Sequence, residues 1–252
     1  ETETNYVTFI VPDGVTLQVD NVSVKEVGVA SGWTDADKQL DIPQTALQSY
    51  NQLAYFYGED NQNVALDSSM DSLNNNFSIS FWLFEEENNY SYSWPLGKEG
   101  TRNILTKHGT GSVRKLHYRD VDSAYHLLAD YTIPLGQWNH IVVTAVGDTS
   151  MQAYINGEQF PANSDMTDTG FKLQYFMEGY SGSHYTRGSI TEIAYYNTTL
   201  TETNVLDLYN NGKCKSALEA SGSAGLTNYW RNNGLAEWKD LKGSNDANCN
   251  AA

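Results

Sequence analysis

Between residues 77 and 83 the chain alternates strictly, with Phe77, Ile79, Phe81 and Leu83 on one side and Ser78, Ser80 and Trp82 on the other. A period of two marks a half-buried β-strand. Apolar runs of the same kind recur at 53–57, 64–66, 103–107, 113–118, 124–131, 139–146, 151–155, 171–176 and 188–196, separated by Asn, Gly and Asp. Asn156-Gly157, directly after Tyr154-Ile155, is a two-residue hairpin turn. Strands at this spacing predict an all-β, antiparallel sandwich and argue against alternating strands and helices. One stretch departs from period two: Thr201 can cap a helix over 201–211, Val205, Leu208 and Tyr209 share a stripe, and Gly212 suits its end. The pattern predicts one short C-terminal helix that closes the sandwich.

The flanks read differently from the body at 47–212. Residues 1–29 hold two strand-like runs, Tyr6 to Val11 and Val15 to Val27, around the turn Pro12-Asp13-Gly14. A lone hairpin is marginal in water and must dock on something. Residues 30–46 form a polar connector with Trp33 as its aromatic anchor, and 213–252 is a tail.

Composition narrows the chemistry. The 252 residues carry 15 Lys and Arg against 31 Asp and Glu, a net charge of −16, which repels phosphate backbones and excludes nucleic acid as a partner. No apolar run approaches the roughly 18 to 20 residues of a spanning helix, and the first residues show no secretory leader, so no membrane insertion is expected. Cys214 and Cys249 flank a polar stretch, and a bond between them would close a loop of about 35 residues. We expect that disulfide; the alternative is a pair of reduced thiols.

The strand motifs then resemble a known family. Phe77-Ser78-Ile79-Ser80-Phe81-Trp82-Leu83, Ile104-Leu105-Thr106-Lys107, the run Gly136 to Thr144, Ala153-Tyr154-Ile155-Asn156-Gly157 and the run Gly188 to Asn197 resemble, in order, strands of concanavalin A-like jelly rolls of the laminin-G type. Residues 198–212 resemble that family's terminal helix. Residues 1–29 resemble the closing strands of galactose-binding-like sandwich modules. The connector and the tail, with Asn228-Tyr229-Trp230 and Trp238-Lys239-Asp240-Leu241, resemble stretches of structural tail or appendage proteins of marine tailed bacteriophages, and the tail also resembles the start of a further laminin-G-like repeat.

Catalysis finds little support. The carboxylate signature of jelly-roll glycosidases is absent, and Glu85-Glu86-Glu87 reads as a solvated strand end. A lyase would want His and Tyr in a basic groove, against the acidic balance. His108, His117 and His126 recur nine apart on separate strands, without metal spacing, and His140 reads as a packed histidine. Calcium is the better ion, since oxygen ligands on loops suit it. The resemblance implies a rim site in which Phe56 to Asn61 matches an acidic turn, with Asp60, Asn61 and Glu192 as ligands; Tyr57 and Thr191 stand where the family has acids.

Aromatic residues carry the remaining signal. Tyr90, Tyr92 and Trp94 alternate in a polar insertion, and Tyr175, Tyr180 and Tyr185 gather around Gly179 and Gly182. Such rings suit sugar faces or subunit interfaces. The expected function is a non-enzymatic structural and adhesive module of a virion or extracellular surface appendage, partnered by copies of itself, neighbouring modules or cell-surface glycans. The alternative is a carbohydrate-binding module of a secreted enzyme.

Overall fold

The computed structural model describes residues 53–59, 62–70, 76–98, 102–147, 149–166, 168–178 and 184–250. The terminal hairpin and the connector expected at 1–46 lie outside them. In chain order the strands are β1 (Val64–Met70), β2 (Ser78–Glu85), β3 (Tyr92–Ser93), β4 (Leu96–Gly97), β5 (Asn103–Leu105), β6 (Lys107–His108), β7 (His117–Arg119) and β8 (Tyr125–Leu127). There follow β9 (Trp138–Val146), β10 (Ser150–Ile155), β11 (Glu158–Gln159), β12 (Leu173–Phe176), β13 (Gly188–Tyr196), helix α1 (Glu202–Tyr209), β14 (Leu226–Trp230), β15 (Glu237–Trp238) and β16 (Ala247–Cys249).

Two antiparallel sheets face each other. One runs β11-β10-β9-β2-β13-β14, the other β15-β16-β1-β12-β4-β5-β7-β8, and β3 pairs with β6 as a small third ladder. Phe77, Ile79, Phe81 and Leu83 join the core between the sheets, as their alternation predicts, together with Ile141, Val143, Leu96, Ile104 and Tyr118. Asn156 (φ 52°) and Gly157 (φ 80°) both take the left-handed region, the type I′ geometry of a two-residue hairpin. At Gly188 a Cβ would lie 1.8 Å from the Phe84 carbonyl oxygen, so only glycine lets β13 lie against the end of β2.

The opposite side of β2 is not solvated. Helix α1 lies over it, and Val205 and Leu208 join Val142, Tyr154, Ala194 and Tyr196 in a second apolar cluster. The helix starts on a capping box: Asn204 N–H donates to Thr201 Oγ1 at 3.3 Å, and Thr201 N–H donates to Asn204 Oδ1 at 3.1 Å. It ends at Asn210 in the left-handed conformation (φ 46°), two residues before the glycine the sequence points to. The helix covers the outer face of one sheet instead of closing the space between the two. Ser78 and Ser80 are tolerated there because they are bonded: Ser78 Oγ donates to Thr198 O at 2.9 Å, and Ser80 Oγ lies 2.8 Å from His140 Nε2.

The tail is part of this sandwich. Strand β14 pairs with β13, while β16 pairs with both β1 and β15. Trp230 and Trp238 are fully buried in the central core, Trp230 edge-on to Phe176 at 5.3 Å and Trp238 stacked on it at 6.3 Å. The expected disulfide is not formed: Cys214 follows the helix beside Glu192 and Arg231, and Cys249 lies on β16 of the other sheet.

His140 is packed between Trp82 (5.1 Å) and Tyr209 (6.0 Å), and burial pushes its imidazole down to about 3. In an unfolded chain the ring titrates near pH 6.5, so below about 6.5 the unfolded state binds the extra proton and stability declines by about 1.4 kcal/mol per pH unit toward the folded value. Replacing His140→Gln is expected to lower stability at neutral pH and to flatten this acid limb by one proton equivalent. Urea midpoints measured from pH 7 to 4 read the slope; an unchanged slope in the variant would assign the limb to other groups.

Candidate functional site

With α1 covering one sheet, the outer face of the eight-stranded sheet is where functional side chains gather. Strand β7 turns Tyr118 into the core, so His117 and Arg119 point outward. The hairpin to β8 sets Arg119 opposite Tyr125 and adds that ring to the same face. Its turn is held by Asp120, whose Oδ1 accepts from Ala124 N–H at 2.9 Å and whose Oδ2 lies 2.8 Å from His126 Nε2. The β3–β6 pairing places Tyr92 opposite His108. A bridge between Glu178 and Tyr185, just after Met177 in the left-handed region (φ 66°), brings in His184.

These side chains form one ring cluster. His108 stacks on Tyr125 at 3.9 Å and lies 5.6 Å from both His117 and Tyr92. Tyr92 stacks on Tyr125 at 6.0 Å, and His184 lies 4.7 Å from Tyr92 and 4.5 Å from Trp94. The Arg119 guanidinium sits 5.6 Å above Trp94 and 5.5 Å above Tyr125, within cation–π range of both. Trp94 is the wholly buried floor, His108 is exposed, and Tyr92, His117, Arg119, Tyr125 and His184 are half-buried. Burial lowers the imidazoles of His108, His117 and His184 from their ordinary value, and Arg119 pushes His184 further the same way. His117 Nδ1 lies 2.8 Å from the Lys115 carbonyl, which only accepts, so Nδ1 carries the proton and Nε2 is the basic nitrogen.

A buried ion pair locks the segment that leads into β7. Arg114 Nε donates to Glu85 Oε1 at 2.6 Å, with both side chains fully buried. Glu85 is therefore no solvated strand end, as its place in the acidic run suggested. Of its neighbours, Glu86 accepts from Tyr55 and lies 3.3 Å from Arg187, and Glu87 is half exposed near Arg114 and Lys107.

Of the aromatic residues singled out from sequence, Tyr92 and Trp94 belong to the cluster, and Tyr90 packs edge-on against Tyr185 at 5.8 Å beside it. Trp94 and Tyr185 are buried, so they support the face and do not present to a ligand. Tyr175 lies on β12 opposite Ala65 and Gly97, with no described ring contact to the cluster. Tyr180, Asp60 and Asn61 lie outside the described residues. Glu192 does not fit a calcium ligand: a bulge between Thr191 and Ala194 turns it out of the core, Arg231 Nε donates to Oε1 at 2.5 Å, and Tyr229 Oη–H donates to Oε2. Among the described residues no three His, Cys, Asp or Glu side chains gather as a metal site. Arg119 and Tyr125 went unnoticed in the sequence, although His117-Tyr118-Arg119 and Tyr125-His126-Leu127 around a short polar turn carry the hairpin register that unites them.

Residues 58–206, more than half of the chain, match the family model of the Concanavalin A-like lectin/glucanases superfamily, and the chain belongs to that superfamily. Among solved structures it resembles a protein from Bacteroides ovatus ATCC 8483 proposed to bind carbohydrate, with a TM-score of 0.54 and 17% identity over 75% of this chain and 57% of that one. It also resembles the native heptameric SAP-like pentraxin of Limulus polyphemus, with a TM-score of 0.50 and 12% identity over 62% of this chain and 80% of that one. At these identities the likeness is one of fold. No curated protein sequence matches the chain. Among the described residues no helix is long and apolar enough to cross a membrane.

Removing Arg114 alone strands a buried carboxylate, so Arg114→Met is expected to lower unfolding free energy by about 3 to 5 kcal/mol. The double variant Glu85→Leu, Arg114→Met is expected to recover most of that loss. Urea unfolding of the two variants checks both, and a double variant no better than the single one would contradict the assignment.

Proposed function

We propose that this chain is a non-enzymatic, glycan-binding adhesive module of an extracellular or virion surface appendage, and that the Tyr92–Tyr125–His108 face is its binding surface. The ring cluster around Arg119 carries the reading: half-exposed aromatic rings, rigidly stacked on a sheet, offer flat apolar area to a sugar ring without a large ordering entropy. The carbohydrate role proposed for the Bacteroides ovatus protein supports it. The appendage context rests on the sequence resemblance of the flanks, and copies of the chain or adjoining modules are its expected partners there. A binding module of a secreted enzyme would use the same face as a monomer, and light scattering at assembly concentration separates the two settings.

A glycan array probed with the full chain is expected to return hits that Tyr125→Ala weakens about tenfold or more, the loss of one stacked ring. Release of new reducing ends from any bound glycan would overturn the non-enzymatic part of the reading. Hits untouched by Tyr125→Ala would move the binding surface elsewhere.

A further inference from the structure

An asparagine followed by glycine is open to attack by its own backbone, because the glycine has no Cβ to keep its nitrogen away from the asparagine Cγ. The chain contains this dipeptide at Asn156-Gly157, Asn211-Gly212 and Asn233-Gly234. Cyclisation needs a side-chain amide free to turn toward that nitrogen, and the fold treats the three sites unequally. Asn156 Oδ1 accepts from His140 N–H at 2.9 Å, and its Nδ2 donates to Asn139 Oδ1 at 3.1 Å. Asn233 Oδ1 accepts from Leu235 N–H at 2.9 Å, and its Nδ2 donates to Glu237 O at 3.2 Å. Each of these amides is held at both its oxygen and its nitrogen.

Asn211 stands in a different setting. It is exposed, as are Asn210, Gly212 and Lys213 around it, and among the described residues no hydrogen bond engages its side-chain amide. Its backbone is also strained. Asn210 (φ 46°, ψ 47°), Asn211 (φ 55°, ψ 39°) and Gly212 (φ 82°) take the left-handed region in succession, in the single 3₁₀ turn that follows α1. Residues with a Cβ adopt that region only at a cost, and the hydrogen bonds of so short a turn are poor. The turn therefore belongs to the parts of the molecule that open locally without unfolding the rest.

We propose that Asn211 is a site of spontaneous deamidation, the first of the three pairs to react in the folded protein, and that the reaction sets a negative charge at the carboxyl end of α1. The Gly212 nitrogen attacks Asn211 Cγ. The new C–N bond closes a five-membered succinimide, and the side-chain nitrogen leaves as ammonia, taking the proton that the Gly212 nitrogen gives up. Water then opens the ring at one carbonyl or the other, leaving aspartate, or isoaspartate with the main chain routed through Cβ and Cγ. Water is the only co-reactant, and base in solution speeds the first step. The carboxylate so formed meets the partial negative charge at the end of the helix, whose last turn carries no basic residue. Asp207 on the helix is already paired with Lys215 at 2.6 Å, and Lys213 is exposed just beyond the turn. Tyr209, the last residue of α1, packs on Trp82 and His140, so a loosened turn reaches the layer over β2.

The test is peptide mapping by mass spectrometry of the full chain incubated at pH 8, once folded and once in denaturing urea. In the folded protein the Asn211 peptide is expected to convert at least about tenfold faster than the peptides of Asn156 and Asn233, whose two hydrogen bonds must open first. In urea the three rates are expected to converge, because the dipeptide is the same, which assigns the difference to the fold. Asn211→Gln is expected to remove the fast conversion and leave the other two sites as they were. Asn211→Asp, which carries the charge of the product from the start, is expected to raise the unfolding equilibrium constant about two- to fivefold. Equal rates in the folded protein, or Asn156 or Asn233 reacting first, overturns the assignment of the site. A rate order in urea that matches the folded order overturns the role given to the fold, and an Asn211→Asp variant as stable as the parent overturns the charge effect on α1.

Discussion

The pair of Arg114 and Glu85 joins the two sheets at the end where the ring cluster sits. Each charge buried alone would cost several kcal/mol of lost hydration, and the 2.6 Å contact offsets that only because both residues are held in place. Their backbones provide the hold. Ile133 N–H donates to Arg114 O and Gly136 N–H donates to Glu85 O, both at 2.8 Å, so the segment after β8 is stitched to both partners. Glu85 is the last residue of β2, the strand at the middle of the six-stranded sheet, and Arg114 lies three residues before His117. The geometry of the exposed rings is thereby referred to a strand packed on both faces.

The sheets then divide their tasks. The six-stranded sheet is buried on both sides, by the central core and by α1 with the chain that follows it, and acts as a rigid slab. The eight-stranded sheet keeps an outer face on which side chains can be chosen for chemistry, because their neighbours across the strand already supply the packing. Tyr118 in the core and His117 and Arg119 outside it show this economy within three residues.

Much of this was readable from sequence, and the failures share a cause. The alternation of 77–83, the Asn156-Gly157 turn and the cap at Thr201 are local signals, set by backbone sterics and by residues a few positions apart, and the structure bears them out. The second burial of β2, the charge pairing of Glu85 and the tail strands depend on partners tens of residues away, about which period two says nothing. The bulge at Glu192 is a related case: strict alternation from Ile190 would put that carboxylate in the core, and the left-handed residue (φ 53°) returns Ile193 to the inside. For the candidate site, Tyr92 and Trp94 stood out as bulky residues in a polar insertion, whereas Arg119 and Tyr125 looked ordinary until the β7–β8 register brought them together. Trp94 alternates with Tyr90 and Tyr92 in sequence yet is wholly buried, and only burial distinguishes a floor from a surface.

The pairing of β1 with β16 has a consequence in time as well as in space. Val64 is registered against Cys249, Leu66 against Ala247, and Asn245 and Asn248 bond to Ser68 and Asp67 across roughly 180 residues of chain. Trp230 and Trp238 reach the core from the same stretch, 226–250. On a ribosome adding about 5 to 20 residues per second, the strands of the body emerge many seconds before the segment that completes both sheets. Until it arrives, β1 and β13 wait with open edges and the core lacks two of its largest side chains. A chain cut before Leu226 would therefore lose far more than three strands, because closure of the sandwich falls to a segment made after its body.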